Sequence, residues 1–156
     1  MIARILLAVD DSPAGLSAAR TAIDLAVACS ADVRAVTVLR DGPLETALAD
    51  IRAGQESRTA LQARRGGGQT VLLRHVVDMG RAAGFVPQTA ALLGEPAPAI
   101  LDEVRTYCPD VIVIGRSDRR SAGQPYVGSE VRHVLEFAEV PVLVVPPPAT
   151  LGRTPT

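Results

Sequence analysis

The sequence contains no lysine; all sixteen of its basic residues are arginine. That absence excludes Schiff-base chemistry and the lysine of a Walker-type phosphate loop. Cysteine is nearly missing, with Cys29 in a predicted helix and Cys108 at a helix end. Both read as small, reduced packing residues, with a redox pair as the other reading. Charge of either sign is not in excess: 16 basic residues meet 17 acidic ones, for a net charge of -1. Nothing in that balance draws the chain to nucleic acid or to an anionic membrane. Long apolar runs are also lacking. The N-terminal "MIARILLAVDDS" closes its apolar stretch at Asp10, too soon for a signal peptide or a membrane span, so the expectation is a cytoplasmic protein. What is present is an ordinary globular balance, 47% hydrophobic and 21% charged over 156 residues. A chain of that length suits one domain burying about 70% of its unfolded surface.

Short apolar runs alternate with segments of helical period. "ARILLAV" (3–9) reads as a buried strand, closed by Asp10 and Asp11. Ser12 followed by Pro13 is a helix start, because the hydroxyl accepts an orphan N–H and proline fits the first helical position. Leu16, Ala19, Ile23 and Val27 then recur at helical spacing up to Cys29. "DVRAVTVL" (32–39) is a second strand. Residues 40–69 are the least readable: Leu44, Leu48 and Ile51 can line a helix face, but Gly66-Gly67-Gly68 argues against one helix running through. A helix is expected from about Thr70 to near Gly84, with Leu72, Leu73, Val76 and Val77 inward. "QTAALL" (88–93) is a third strand, and "GEP" turns it into a helix carrying Ile100, Leu101, Val104 and Cys108 on one face. "DVIVIG" (110–115) is the fourth strand. Ser129 is placed to cap a helix with Val131, Val134, Leu135 and Ala138 inward, and "VPVLVVP" (140–146) is the fifth strand. Residues 1–148 make one domain, and the Pro-rich 149–156 read as a disordered tail.

Strands separated by helical crossovers predict an α/β domain: a single doubly wound, five-stranded parallel sheet with helices on both faces. In such sheets ligands bind beyond the carboxyl ends of the strands, where strand order reverses. If the first and fourth strands are neighbours, the crevice lies between Asp10 and Gly115. Gly115 ends a strand and Gly128-Ser129 opens a helix, where a phosphate would meet unpaired N–H groups and the positive end of the helix dipole. A plain connection capped by Ser129 fits the same residues. Asp10 and Asp11 equally suit the electrostatics of a helix start, and Ser12 reads as a cap. His75 has only Asp78 near it at metal spacing. Ser129 and His133, four apart, lack the third orienting group of a nucleophile–base pair.

"ILLAVDDSPAG", "LLGEPAPAILDEV", "PDVIVIGRSD" and "VGSEVRHVLEFAEVPVLVVP" together resemble the universal stress protein family, with its adenine nucleotide alpha-hydrolase-like fold, over residues 2–147. The family's nucleotide signature is Gly, two residues, Gly, nine residues, then Gly-Ser or Gly-Thr. Gly115, Asp118 and Gly128-Ser129 keep that spacing. The resemblance implies strand order 3-2-1-4-5 and a bound ATP or AMP, with or without Mg2+. It implies that Asp10 contacts the nucleotide near ribose and phosphates, and that Ala8 and Val9 line the site through their backbone. The backbone of Val38 would read adenine. Gly115, Gly128 and Ser129 would hold the phosphates, with Arg116 and Ser117 beside them.

Two acids depart from that pattern: Asp118 replaces the second glycine, and Glu130 stands where a small or apolar residue is usual. A carboxylate about 4 Å from a phosphate oxygen costs about 1–4 kcal/mol per charge pair. Arg116, Arg119 and Arg120 crowd the same loop and are able to neutralise the acids or clamp phosphates. Asp10, Asp118 and Glu130 are also hard oxygen donors for Mg2+. The other reading has Asp118 paired with an arginine in an empty loop.

ATP pyrophosphatases and adenylyl transferases share this architecture but need a Gly/Ser-rich loop after the first strand, and "DDSPAG" is not one. The expectation is no dedicated enzyme, with at most slow ATP hydrolysis. In the implied strand order the fifth strand is an edge. Val142, Leu143, Val144 and Val145 would pair with a second copy across a two-fold axis, within the limits set by Pro141 and Pro146. The chain therefore reads as a homodimeric, adenine-nucleotide-binding regulatory module of the stress response, acting on a further protein partner. The alternative is a nucleotide-free dimer whose work is protein interaction alone.

Overall fold

The computed structural model describes residues 1–40, 55–116 and 127–149, with the backbone alone for 55–67 and 69. The expected helix face of Leu44, Leu48 and Ile51 lies outside the described residues, as do Ser117, Asp118, Arg119, Arg120 and the tail from 150 on. Within them the elements are β1 (Arg4–Ala8), α1 (Pro13–Cys29), β2 (Asp32–Leu39), α2 (Gln55–Ala82), β3 (Gln88–Leu93), α3 (Pro96–Tyr107), β4 (Val111–Gly115), α4 (Ser129–Phe137) and β5 (Val142–Val145). All strand pairs are parallel, in the order β3-β2-β1-β4-β5. This is the doubly wound sheet expected.

Side-chain parity divides the core. Ile5 and Leu7 of the first strand, Val9 just past it, and Val111 and Val113 of the fourth pack with residues of α1 and α2. Leu6, Ala8, Ile112 and Ile114 point the other way, onto Ala97 and Ile100 of α3 and Val131 and Val134 of α4. Strands covered on both faces need apolar residues at every position, which is why β1 and β4 read as unbroken runs. Each such side chain taken fully from water contributes about 1.5–3 kcal/mol.

Four details differ from the sequence expectation. In α1 the expected Ala19 and Ile23 are buried, but beside them runs a stripe of small residues, Ala14, Ala18, Ala22 and Ala26 at a spacing of four, while Leu16 is half-buried and Val27 is 54% exposed. Alanines let the helix lie close to β1 and β4, and Val27 falls one position off that face. Helix α2 runs unbroken through Gly66-Gly67-Gly68. Each interior glycine costs about 1 kcal/mol relative to alanine, but nucleation is the expensive step. Leu73 and Val76, buried on the sheet, fix the C-terminal half, from which the helix needs only to propagate. Cys108 is not on the inward face of α3 but is its exposed, left-handed C-cap, its N–H donating to the Val104 carbonyl at 2.8 Å. Leu135 of α4 is exposed, while Val131 and Val134 are buried. Cys29 is half-buried, and both cysteines are free thiols.

The opposite end of the sheet from the strands' carboxyl ends is closed by polar contacts. Asp110 accepts from the Ala3 and Arg4 amides at 2.8 and 2.9 Å, and these bonds hold its carboxyl below the usual range. Arg34 of β2 meets the mostly buried Glu103 of α3 at 2.7 Å, a charge contact without hydrogen-bond alignment.

Candidate functional site

A cleft of about 580 Å³ opens at the carboxyl ends of β1, β2 and β4. It lies where α/β sheets place ligands, since chain order reverses between β1 and β4. Val36, Ile100 and Ile114 give it an apolar floor. Of the residues expected at a ligand, Ala8, Val9, Asp10, Val38, Gly115, Arg116, Gly128, Ser129 and Glu130 all line it.

One wall is the start of α1. The chain leaves β1 through Asp10, whose Oδ1 accepts from the Ser12 amide at 3.1 Å and from the Ser12 hydroxyl. Ser12 Oγ in turn accepts from the Gly15 N–H at 3.0 Å, closing the helix start with Pro13 behind it. The packing here is tight. A Cβ on Gly15 would lie 2.2 Å from Asp10 Oδ1, and one on Gly115 would lie 2.6 Å from the Ala14 carbonyl carbon. Gly115 thus has a structural task that the sequence reading did not give it: it lets the end of β4 touch the first turn of α1.

The second wall is the end of β2. Its pairing with β1 stops where the Val9 N–H donates to the Val36 carbonyl at 2.9 Å. Peptide groups of a strand alternate in direction, so those of Val38, two residues on, point the same way, past the place where β1 has turned off. The Leu39 carbonyl points the other way and accepts from Gly94 at 2.9 Å. The backbone of Val38 therefore faces the cleft.

The third wall is the start of α4. Its N-cap is Gly128 (φ 73°, ψ 149°), not Ser129 as expected. Gly128 has no side chain to cap with, and Ser129 is the exposed first helical residue. The first amides of a helix have no intrahelical partner, and the dipole puts about half a positive charge there. Glu130, in this first turn, forms an ion pair with Arg40 just past β2. The two side chains are 37% and 56% exposed, so the pair itself contributes about 0–1 kcal/mol. Sequence reasoning missed Arg40 because 90 residues separate the partners. The one available signal was its position directly after the second strand.

Other candidates lie elsewhere. His133 packs against Phe137 in a tilted ring contact, centroids 4.8 Å apart, and His75 is exposed on α2. Val142, Leu143, Val144 and Val145 form β5, the sheet edge beside β4, with Leu143 the most exposed large side chain of the four.

The universal stress protein family matches over residues 1–146. The chain belongs to the universal stress protein family. A universal stress protein of Methanocaldococcus jannaschii is 29% identical over 145 residues, covering 93% of this chain and 82% of that one. Among solved structures, a universal stress protein in complex with cAMP superposes with a TM-score of 0.71 at 20% identity, covering 94% of this chain and 99% of the other. The universal stress protein of Archaeoglobus fulgidus in complex with dAMP gives 0.64 at 23% identity, with 93% and 98% covered. At these identities the likeness is one of fold. Against the universal stress protein signature, Gly115, Gly128 and Ser129 are in place at the cleft.

Proposed function

We propose that the cleft binds an adenine nucleotide and that the protein is a regulatory binding module, not a dedicated enzyme. The observation that carries this reading is the start of α4, which has no side-chain cap among the described residues and opens onto the same cleft as the Val38 backbone. Two proteins of the same fold have been solved with cAMP and with dAMP, which supports it. In this reading the apolar floor takes adenine, with its edge on the Val38 backbone. Asp10 meets the ribose, and Gly128, Ser129 and the first amides of α4 take phosphate, with Arg116 beside them. ATP and AMP both fit that scheme. Asp10 and Glu130, two of the donors considered for Mg2+, line the cleft and are already engaged by Ser12 and Arg40.

Among the described residues, the ionisable ones lining the cleft are Asp10, Arg40, Arg116 and Glu130. Among the described residues this set offers no base aligned on a nucleophile, so any hydrolysis of ATP would be slow. We further propose a homodimer paired through β5, whose edge carries the exposed Leu143, working in the cytoplasm on a further protein partner. No helix among the described residues is long and apolar enough to cross a membrane. A second reading, a nucleotide-free interaction module, is favoured by one observation: the carboxylate of Glu130 in the first turn of α4.

The test is direct. Protein purified without added nucleotide is denatured and the supernatant run on an anion exchanger beside adenine-nucleotide standards, followed by calorimetric titration of the native protein. A co-purified nucleotide, or binding in the micromolar range, is expected. No nucleotide and no heat at millimolar ligand would overturn the reading in favour of the second one.

A further inference from the structure

The cleft holds an acid at the very place where a phosphate would dock. Glu130 is the second residue of α4 and lines the cleft, so a phosphate on the first amides of that helix is its close neighbour. Its counter-charge comes from Arg40 across the opening. Among the described residues, the ionisable groups lining the cleft are two acids and two arginines. Their charges cancel one another, and the helix dipole adds a further attraction for an anion. Arg40 is able to turn to a phosphate only by abandoning Glu130, and the carboxylate would then stand unpaired beside the ligand. Every negative charge added to the ligand near this point meets the same opposition.

Resting on the nucleotide reading, we propose that Glu130 makes the cleft select its ligand by charge, taking a singly charged phosphodiester of adenosine in preference to the triphosphate. Glu130 acts here as a specificity-determining residue. A cyclic nucleoside monophosphate brings one negative charge to the α4 start and loses least to the carboxylate. AMP is intermediate, and ATP loses most. A pair of like charges about 4 Å apart in a water-filled opening weakens binding about fivefold, and outer phosphates add smaller factors.

The experiment is calorimetric titration of the full chain with cyclic AMP, AMP and ATP, without Mg2+ and at one ionic strength, for the native protein and for Glu130→Gln. The native protein is expected to bind cyclic AMP more tightly than ATP. Glu130→Gln is expected to strengthen cyclic AMP about fivefold and ATP by more, about tenfold or above, narrowing the gap. Arg40→Gln should act in the opposite sense, weakening ATP more than cyclic AMP, because it leaves the carboxylate uncompensated. The native protein alone supplies a further readout: raising the salt should narrow its preference, since screening weakens the repulsion. Tighter binding of ATP than of cyclic AMP by the native protein, or equal gains for all three ligands in Glu130→Gln, would overturn charge selection while leaving nucleotide binding intact. Absence of binding by any of the three to either protein would overturn both.

Discussion

The starts of α1 and α4 face one cleft and are finished in opposite ways. At α1 the Ser12 hydroxyl takes the Gly15 N–H, Asp10 takes the Ser12 amide and hydroxyl, and Gly115 fits against the Ala14 backbone without room for a methyl group. At α4 the cap is a glycine, the next residue is exposed, and Glu130 of the first turn is paired with Arg40, which lies just past β2. A helix start satisfied by its own chain contributes to stability and offers little to a ligand. One left open offers amides and dipole to an anion. On the proposed reading, the same element serves as structure in one place and as a site in the other.

Substitutions can break that contrast, and the largest effect is expected at the tight end. Gly115→Ala puts a methyl group 2.6 Å from the Ala14 carbonyl carbon. It should cost about 1–3 kcal/mol in urea denaturation and weaken nucleotide binding by shifting α1. Next is Ser12→Ala, which removes the α1 cap and should cost about 1 kcal/mol. Ser129→Ala sharpens the contrast: denaturation should change by less than about 0.5 kcal/mol, while calorimetry should show weaker nucleotide binding. Equal stability losses in the two serine variants would erase the distinction between the helix starts. The smallest expected effect lies at the far end of the sheet. Asp110 has a folded value lowered by two backbone hydrogen bonds. The stability it adds is therefore present above its unfolded value and is lost as the pH falls through the folded one. Asp110→Asn should lower stability at neutral pH, flatten its decline in acid, and leave nucleotide binding unchanged; a parallel acid profile for variant and native protein would contradict this.

Much of the fold was legible because apolar period and turn chemistry act locally. β2 and β3 fall on the residues expected, and Ser12-Pro13 starts α1 as read. The glycine signature pointed to the cleft at the carboxyl ends of β1 and β4, and Gly115, Gly128 and Ser129 line it. What was not legible depends on contacts distant in sequence or on cooperativity. Ala19 and Ile23 of α1 are buried as read, but the stripe Ala14, Ala18, Ala22 and Ala26 was passed over because only the sheet beneath shows which face is close. The triple glycine of α2 was read as a break because a single-residue propensity does not show that Leu73 and Val76 already anchor the helix. Glu130 was recognised as out of place, but its neutralisation by Arg40 exists only once β2 and α4 meet at the cleft.

The most direct test of the claim that the open helix start is the site is amide chemical-shift mapping during titration with AMP or cyclic AMP. Large shifts are expected at Gly128, Ser129, Glu130, Val131 and Val38, with only small ones at the capped Gly15. Saturating ligand that leaves those five amides unmoved, or shifts confined to the first turn of α1, would contradict the account.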